Sequence, residues 1–374
     1  MKIGFDAKRF FNNFTGLGNY SRFVIRALSA HAPENEYFLF TPTIKNHPEL
    51  NTILSSQNLR IISPPIVSGF IGAIWRTWGI SKSRHAKALD IYHGLSQELP
   101  LNFPSNVKKV VTVHDLIFIR YPHLYKSIDA AIYKSKVKYA CSHADKIIAI
   151  SHQTKDDLIH FLNADADKID VVYQGPHPDF NKVFSVEQIT AIKTKYGLPR
   201  QYILSVGTIE ERKNVLLVVK ALALLPVDLR MHVIIVGRQT GYQRRIVDEA
   251  AKLRVSQWLL FLHNVSFADL PAIYQGAEVF VYPSIFEGFG IPIVEALQSS
   301  VPVIASTGSC LHEAGGPETI YVNPDDEQEM CDRLKAVFSD SALRKRMVTS
   351  GREYIKKFEP AVIADQMLRI YKEV

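Results

Sequence analysis

Tyr282-Pro283-Ser284-Ile285-Phe286-Glu287-Gly288-Phe289-Gly290-Ile291-Pro292-Ile293-Val294-Glu295-Ala296-Leu297 carries the densest chemistry of this chain. The apolar run Val279–Tyr282 before it reads as a buried strand, and Pro283-Ser284 ends that strand. A glycine-rich loop follows, and Pro292 suits the first turn of a helix. The N–H groups of Gly288, Phe289 and Gly290 then stand at a helix N-terminus, a natural seat for phosphate, with Ser284 and Ile291 on either side. Glu287 lies at the mouth of the loop and Glu295 about one turn into the helix. Carboxylates accept hydrogen bonds from vicinal hydroxyls, as acidic residues do on the ribose of dinucleotides. One of the two therefore suits a ribose and the other a second sugar.

Working outward, the same punctuation recurs along all 374 residues. Short apolar runs bounded by turn residues alternate with helical-period segments. Strands are expected at 2–5, 37–41, 91–93, 109–113, 146–150 and 169–172, then at 202–206, 232–236, 258–262, 279–282, 301–305 and 319–322. Continuous apolar strands alternating with helices predict an α/β chain with doubly wound parallel sheets. Twelve strands in two sets predict two Rossmann-like domains facing a cleft. The first is expected over 1–178 and the second over 200–358, joined by a Pro- and Gly-punctuated linker over 179–199. A last helix is expected over 359–374, opened by Pro360.

Three other places invite a ligand. Thr15-Gly16-Leu17-Gly18-Asn19-Tyr20 precedes an apolar-periodic helix, so Gly16 and Gly18 bring backbone N–H groups toward a phosphate. Arg212 and Lys213 follow a strand and Val206-Gly207-Thr208. Cations there would stabilise the charge that grows on a departing diphosphate. His114 ends an apolar strand, where ligands of open α/β sheets bind. Asp165-Ala166-Asp167 has the spacing of a metal motif but lies in a polar turn, so no metal is expected.

Composition narrows the classes. Hydrophobic content of 47% and charged content of 22% describe a globular protein. Cys141, Cys310 and Cys331 are far apart in sequence, which argues against a disulfide framework or a zinc cluster and suits a reducing compartment. The start, MKIGFDAKRF, lacks the features of a signal peptide, and no apolar run reaches the ~20 residues of a membrane span. A cytoplasmic protein is expected. Residues 1–180 carry 21 Lys+Arg against 15 Asp+Glu, and residues 181–374 carry 23 against 22. The basic first half, with Arg76, Lys82, Arg84 and Lys87 among the aromatics of 69–82 and beyond, and with Lys134, Lys136 and Lys138, admits a peripheral contact with the inner face of a membrane. No nucleic-acid motif accompanies that charge.

The Glu287–Glu295 block resembles the E-x7-E signature of retaining glycosyltransferases of family 4, which have the two-domain GT-B fold. Other blocks are similar to that family in the same order: the N-terminal DA…TGLGNYSR, 112–116 (TVHDL), 150–158 (ISHQTKDDL) and 206–214 (VGTIEERKN). The resemblance implies a hexosyltransferase acting on a nucleotide diphosphate sugar, with GDP-mannose ahead of UDP-hexoses and no further cofactor. It implies that Arg212 and Lys213 hold the diphosphate, that His114 and Glu287 contact the donor sugar, and that substitution proceeds on one face with retention. It also implies a glycan or lipid-linked acceptor on the first domain, where Tyr20, His93 and His152 are candidates. An epimerase or phosphorylase of the same fold, and a non-enzymatic basic module for membrane or nucleic acid, are the alternatives.

Overall fold

The computed structural model of the chain describes residues 1–64 and 69–374, with only the backbone described at 69 and 70. It divides into unit 1, Met1–Gly175 with Phe358–Val374, and unit 2, Pro176–Lys357. Unit 1 is built on seven parallel strands: β1 (Lys2–Asp6), β2 (Glu36–Phe40), β3 (Leu59–Ile62), β4 (Ile91–Gly94), β5 (Lys108–Val113), β6 (Lys146–Ala149) and β7 (Ile169–Val171). Their order is β3-β2-β1-β4-β5-β6-β7. Unit 2 has six: β8 (Tyr202–Val206), β9 (His232–Val236), β10 (Leu259–Leu262), β11 (Val279–Tyr282), β12 (Val303–Ser306) and β13 (Ile320–Val322), in the order β10-β9-β8-β11-β12-β13. Every pairing is parallel. In both sheets the strand order reverses once, between β1 and β4 and between β8 and β11. Ligands of such sheets bind beyond the carboxyl ends of the strands at that reversal.

The twelve expected strands all form, and β3 is an addition. Leu59-Arg60-Ile61-Ile62 lies at the sheet edge with Arg60 and Ile61 exposed, and Arg60 pairs with Glu36 at 2.8 Å. An edge strand with one face in water lacks the continuous apolar run that marks a buried one.

Among the helices, α1 (Lys8–Asn12) and α2 (Gly16–His31) follow β1. Farther on lie α3 (Ser127–His143), α4 (His152–Leu162), α5 (Val186–Tyr196), α6 (Ile291–Gln298) and α7 (Pro360–Glu373). The stretch expected as a linker is ordered within unit 2. Phe180, in a 3-10 turn at Pro178–Asn181, is buried with its ring 5.4 Å from Tyr274. Next, α5 is started by a capping box between Ser185 and Gln188, which satisfies two otherwise free backbone N–H groups.

The end of the chain returns to unit 1. Ile363, Met367, Ile370 and Tyr371 are buried along one face of α7, each apolar side chain worth about 2 kcal/mol. Polar ties run beside them: His31 to Asp365 at 2.7 Å and Lys146 to Glu373 at 3.4 Å. Among the described residues no helix is long and apolar enough to cross a membrane.

Candidate functional site

In unit 2 the strand ends and the glycine loop converge on Glu287. The loop leaves β11, and Gly290 turns it into α6 with φ 121°, a left-handed conformation that favours glycine. Pro292 sits in the first turn of α6, whose N-cap residue is Gly290. Arg212 and Lys213 lie in a 3-10 turn, Glu211–Lys213, beyond β8. Gly207 beside them adopts φ 152°, a conformation that L side chains rarely take. Gly237 at the end of β9 must also be glycine, since a Cβ there would meet Gly207 O at 1.8 Å.

Glu287 accepts from both cations. Lys213 Nζ lies 2.5 Å from Oε1, and Arg212 reaches Oε2 at 2.7 Å. The Tyr282 hydroxyl donates to Oε1 at 3.1 Å. Burial alone would raise the Glu287 carboxyl, but Lys213 and Arg212 outweigh it and hold the group down at about 2. Burial in turn lowers the Lys213 ammonium, while at Arg212 the opposing charge of Glu287 wins and the guanidinium is held above its usual range. Arg212 also donates to Phe286 O at 2.6 Å and to Glu210 at 2.7 Å, so it braces the loop as well as charging it. Ser284 and Phe289 are buried, whereas Gly288 and Ile291 are half-buried. The Cys310 thiol donates to the carbonyls of Glu287 and Phe289 at 3.0 and 3.2 Å.

Glu295 differs sharply. It is buried in α6, accepts from the Tyr274 hydroxyl at 3.0 Å, and burial raises its carboxyl to about 7. Two carboxylates eight residues apart thus occupy opposite protonation regimes, one pinned by cations and one kept near neutrality by its apolar surroundings. Tyr274 was not foreseen: nothing in its local sequence marks it, because its role depends on packing against Phe280 and Phe180.

The unit 1 candidates separate. His114 is buried beyond β5, and its Nε2 donates to Leu95 O at 2.8 Å. Burial lowers it to about 4, so the ring is neutral, with Nδ1 as its acceptor nitrogen. The Tyr20 ring stands edge-on to it at 4.6 Å. Tyr20 and His93, expected on the acceptor side, are buried with their polar atoms engaged inside unit 1. His93 is fully buried, with Nδ1 2.6 Å from the Tyr371 hydroxyl and Nε2 2.8 Å from Thr112 Oγ1. Tyr20 is buried too, and its hydroxyl takes the same Thr112 oxygen at 2.9 Å. Their polar atoms are spent on a chain Tyr371–His93–Thr112–Tyr20 that ties α7 to the sheet. His152 is exposed in the first turn of α4.

The glycines of 16–18 are not a loop ahead of the helix, because they form the first turn of α2. Gly16 is exposed there. Gly18 is buried where a Cβ would lie 1.6 Å from Asn13 O, so it serves the packing of α1 on α2. Asp165 caps a 3-10 turn by accepting from the Asp167 N–H, and both carboxylates are exposed. Arg76 turns inward, against Asp6 at 2.6 Å and against Glu98, so its charge is not offered to a surface. Among the described residues, no three His, Cys, Asp or Glu side chains are grouped to hold a metal ion.

Comparisons place the chain among known glycosyltransferases. Residues 188–354 match the family model "Glycosyl transferases group 1", and residues 14–180 match "Glycosyltransferase Family 4". The O-antigen chain mannosyltransferase B of Escherichia coli is 25% identical over the full length of both chains. The O-antigen chain mannosyltransferase RfbU of Salmonella typhimurium is 31% identical over 61% of this chain and 60% of its own. Among solved structures, Anabaena HepE in complex with UDP and glucose superposes with a TM-score of 0.75 at 16% identity, covering both chains in full. WaaG, a glycosyltransferase involved in lipopolysaccharide biosynthesis, does so at 0.72 and 16%, also over both chains. Two matched models over successive halves, full-length likeness to a mannosyltransferase and the fold of these structures lead to one conclusion: the chain belongs to the family 4 glycosyltransferases and is a hexosyltransferase with the GT-B fold.

Proposed function

We propose that unit 2 holds a nucleoside diphosphate hexose and that the chain transfers the hexose, mannose first among the candidates, to a saccharide or lipid-linked acceptor carried by unit 1. The observation that carries this reading is Glu287 pinned between Arg212 and Lys213 beside the N-terminus of α6. Those cations and the N–H groups of Gly288–Gly290 match a leaving diphosphate, whose charge grows as the anomeric C–O bond breaks. Protein cations supply the charge, so the reaction needs no metal ion. The names of the relatives support mannose and a place in surface polysaccharide assembly; HepE with bound UDP supports a nucleoside diphosphate. GDP is the first base to test and UDP the second.

Retention is the stereochemical course that the family resemblance implies. A carboxylate held down at about 2 by two cations is a poor nucleophile, so Glu287 binds donor hydroxyls and orients Lys213 rather than attacking. The acceptor oxygen then bonds to the anomeric carbon on the face that the diphosphate leaves. The acceptor proton passes to the departing phosphate oxygen. A membrane contact is part of the proposal. Ile128 and Ile132, one turn apart on α3, are 73% and 47% exposed, with Lys134 and Lys138 exposed on the same helix. Exposed apolar side chains among lysines fit an anionic bilayer.

The test is incubation with GDP-mannose or a UDP-hexose and a mannose-terminated lipid-linked acceptor, with the new linkage assigned by NMR. An α-linked product from an α-linked donor is the expected result. Free hexose alone, hexose phosphate or an epimerised donor would refute the reading.

A further inference from the structure

The Lys213 ammonium has three N–H groups to place. One goes to Glu287 Oε1 at 2.5 Å and a second to the Tyr282 hydroxyl at 2.8 Å. The third meets no acceptor among the described residues. The Tyr282 hydroxyl has a single proton and donates it to Glu287 Oε1 at 3.1 Å. Its oxygen therefore faces Lys213 only as an acceptor. The three groups close a triangle with one sense: Lys213 to Tyr282, Tyr282 to Glu287, and Lys213 to Glu287. Two fixed bonds on a tetrahedral ammonium leave its third N–H a narrow set of directions. Burial, then the charge of Glu287, keeps the phenol protonated well above its ordinary range, with Arg212 opposing more weakly, so this sense holds near neutral pH.

What aims the hydroxyl is the sheet. Tyr282 is the last residue of β11, in register with Ala305 of β12, and is 3% exposed. Its ring stacks on that of Phe280 at 5.9 Å and 21°. Phe280 packs in turn on Tyr274, whose hydroxyl donates to Glu295. One aromatic row therefore serves both glutamates of the block. A side chain packed on a strand end is placed more precisely than one on a loop. Lys213, by contrast, sits in a 3-10 turn. It is a point charge on a flexible stem, so it gains direction only from its partners.

We infer that Tyr282 is a positioning residue of the transfer: its hydroxyl, together with Glu287, aims the third N–H of Lys213 at the oxygen of the departing phosphate. The inference rests on the transferase reading above and adds to it a residue that acts through Lys213. A cation already aimed where charge grows needs no rearrangement as the C–O bond breaks, so misaiming it weakens the transition state more than the bound donor.

The experiment compares the full chain with Tyr282→Phe and with a ring-fluorinated tyrosine placed at 282. Phenylalanine keeps the ring on Phe280 and removes the hydroxyl. Fluorine draws electrons from the oxygen and makes it a weaker acceptor in nearly the same volume, so this protein serves if Tyr282→Phe fails to fold. The Lys213 ammonium is followed by NMR of isotope-labelled lysine, assigned through Lys213→Met, and donor turnover by steady-state kinetics. Expected in Tyr282→Phe are hydrogen exchange at the ammonium about tenfold faster and kcat lowered about tenfold, as fits one hydrogen bond to a charged group, with the donor KM within about twofold. The fluorinated protein should show a smaller loss in the same direction. In a wild type that transfers hexose, an unchanged kcat or a loss confined to KM overturns the inference. A wild type that transfers nothing removes the transferase reading by itself. Ammonium exchange unchanged in both variants then overturns the placing of Lys213 as well, and faster exchange upholds it.

Discussion

Replacing Glu295 with glutamine should stabilise unit 2 at alkaline pH while weakening its ligand binding. The carboxyl has an ordinary value of 4.5 and is raised to about 7 by burial in α6. As pH rises from 4.5, the unfolded chain releases this proton first, so stability is full below 4.5 and is lost through about 7. At about 1.4 kcal/mol per pH unit, the interval between the two values amounts to about 3 kcal/mol by pH 8. Glutamine has nearly the same shape, and its carbonyl can accept the Tyr274 hydroxyl, but it never ionises. Glu295→Gln should therefore match the wild type near pH 4.5 and exceed it by up to about 3 kcal/mol at pH 8. Urea unfolding at pH 5 and pH 8, followed by hydrogen exchange in peptides of unit 2, reads this out. Parallel pH dependence in the two proteins would refute the reasoning, because it would mean that Glu295 is ionised in the folded state at neutral pH.

Glu287→Ala removes the carboxylate shared by two half-buried cations, of which Arg212 keeps Glu210, so unit 2 should lose about 2 kcal/mol in denaturant midpoint analysis; an unchanged midpoint would mean that the cations find water. Gly18→Ala places a methyl against Asn13 O, where a Cβ would lie at 1.6 Å, and circular dichroism during heating should show a lowered melting temperature. Tyr371→Phe leaves a ring nitrogen of buried His93 unpaired, which should cost about 1–3 kcal/mol, with the loss of hydrogen-exchange protection centred on α7. Transfer activity should survive a chelator, and its loss in EDTA with recovery on adding Mg²⁺ would contradict the charge assignment to Arg212 and Lys213.

Much of this was legible because parallel strands buried on both faces leave continuous apolar runs, and all twelve expected strands form. The edge strand β3 escaped because half of it faces water. The Glu287–Glu295 block was legible because its glycines and Pro292 fix a loop and a helix start locally. The opposite shifts of its two glutamates were not, since they depend on Lys213 and Arg212, distant in sequence, and on how deeply packing buries Glu295. Tyr20 and His93 looked available because each lies beside a strand end or a helix start. Their burial depends on Tyr371, which arrives from the far end of the chain.

The central claim is that Arg212, Lys213 and the start of α6 bind a nucleoside diphosphate sugar. It is tested most directly by thermal shift with GDP, UDP, ADP and their hexose forms on the wild type and on Lys213→Met, since a ligand that binds only the folded state raises its melting temperature. The account predicts a shift with one nucleotide family in the wild type and its loss in Lys213→Met. No shift with any nucleotide, or equal shifts in both proteins, would contradict it.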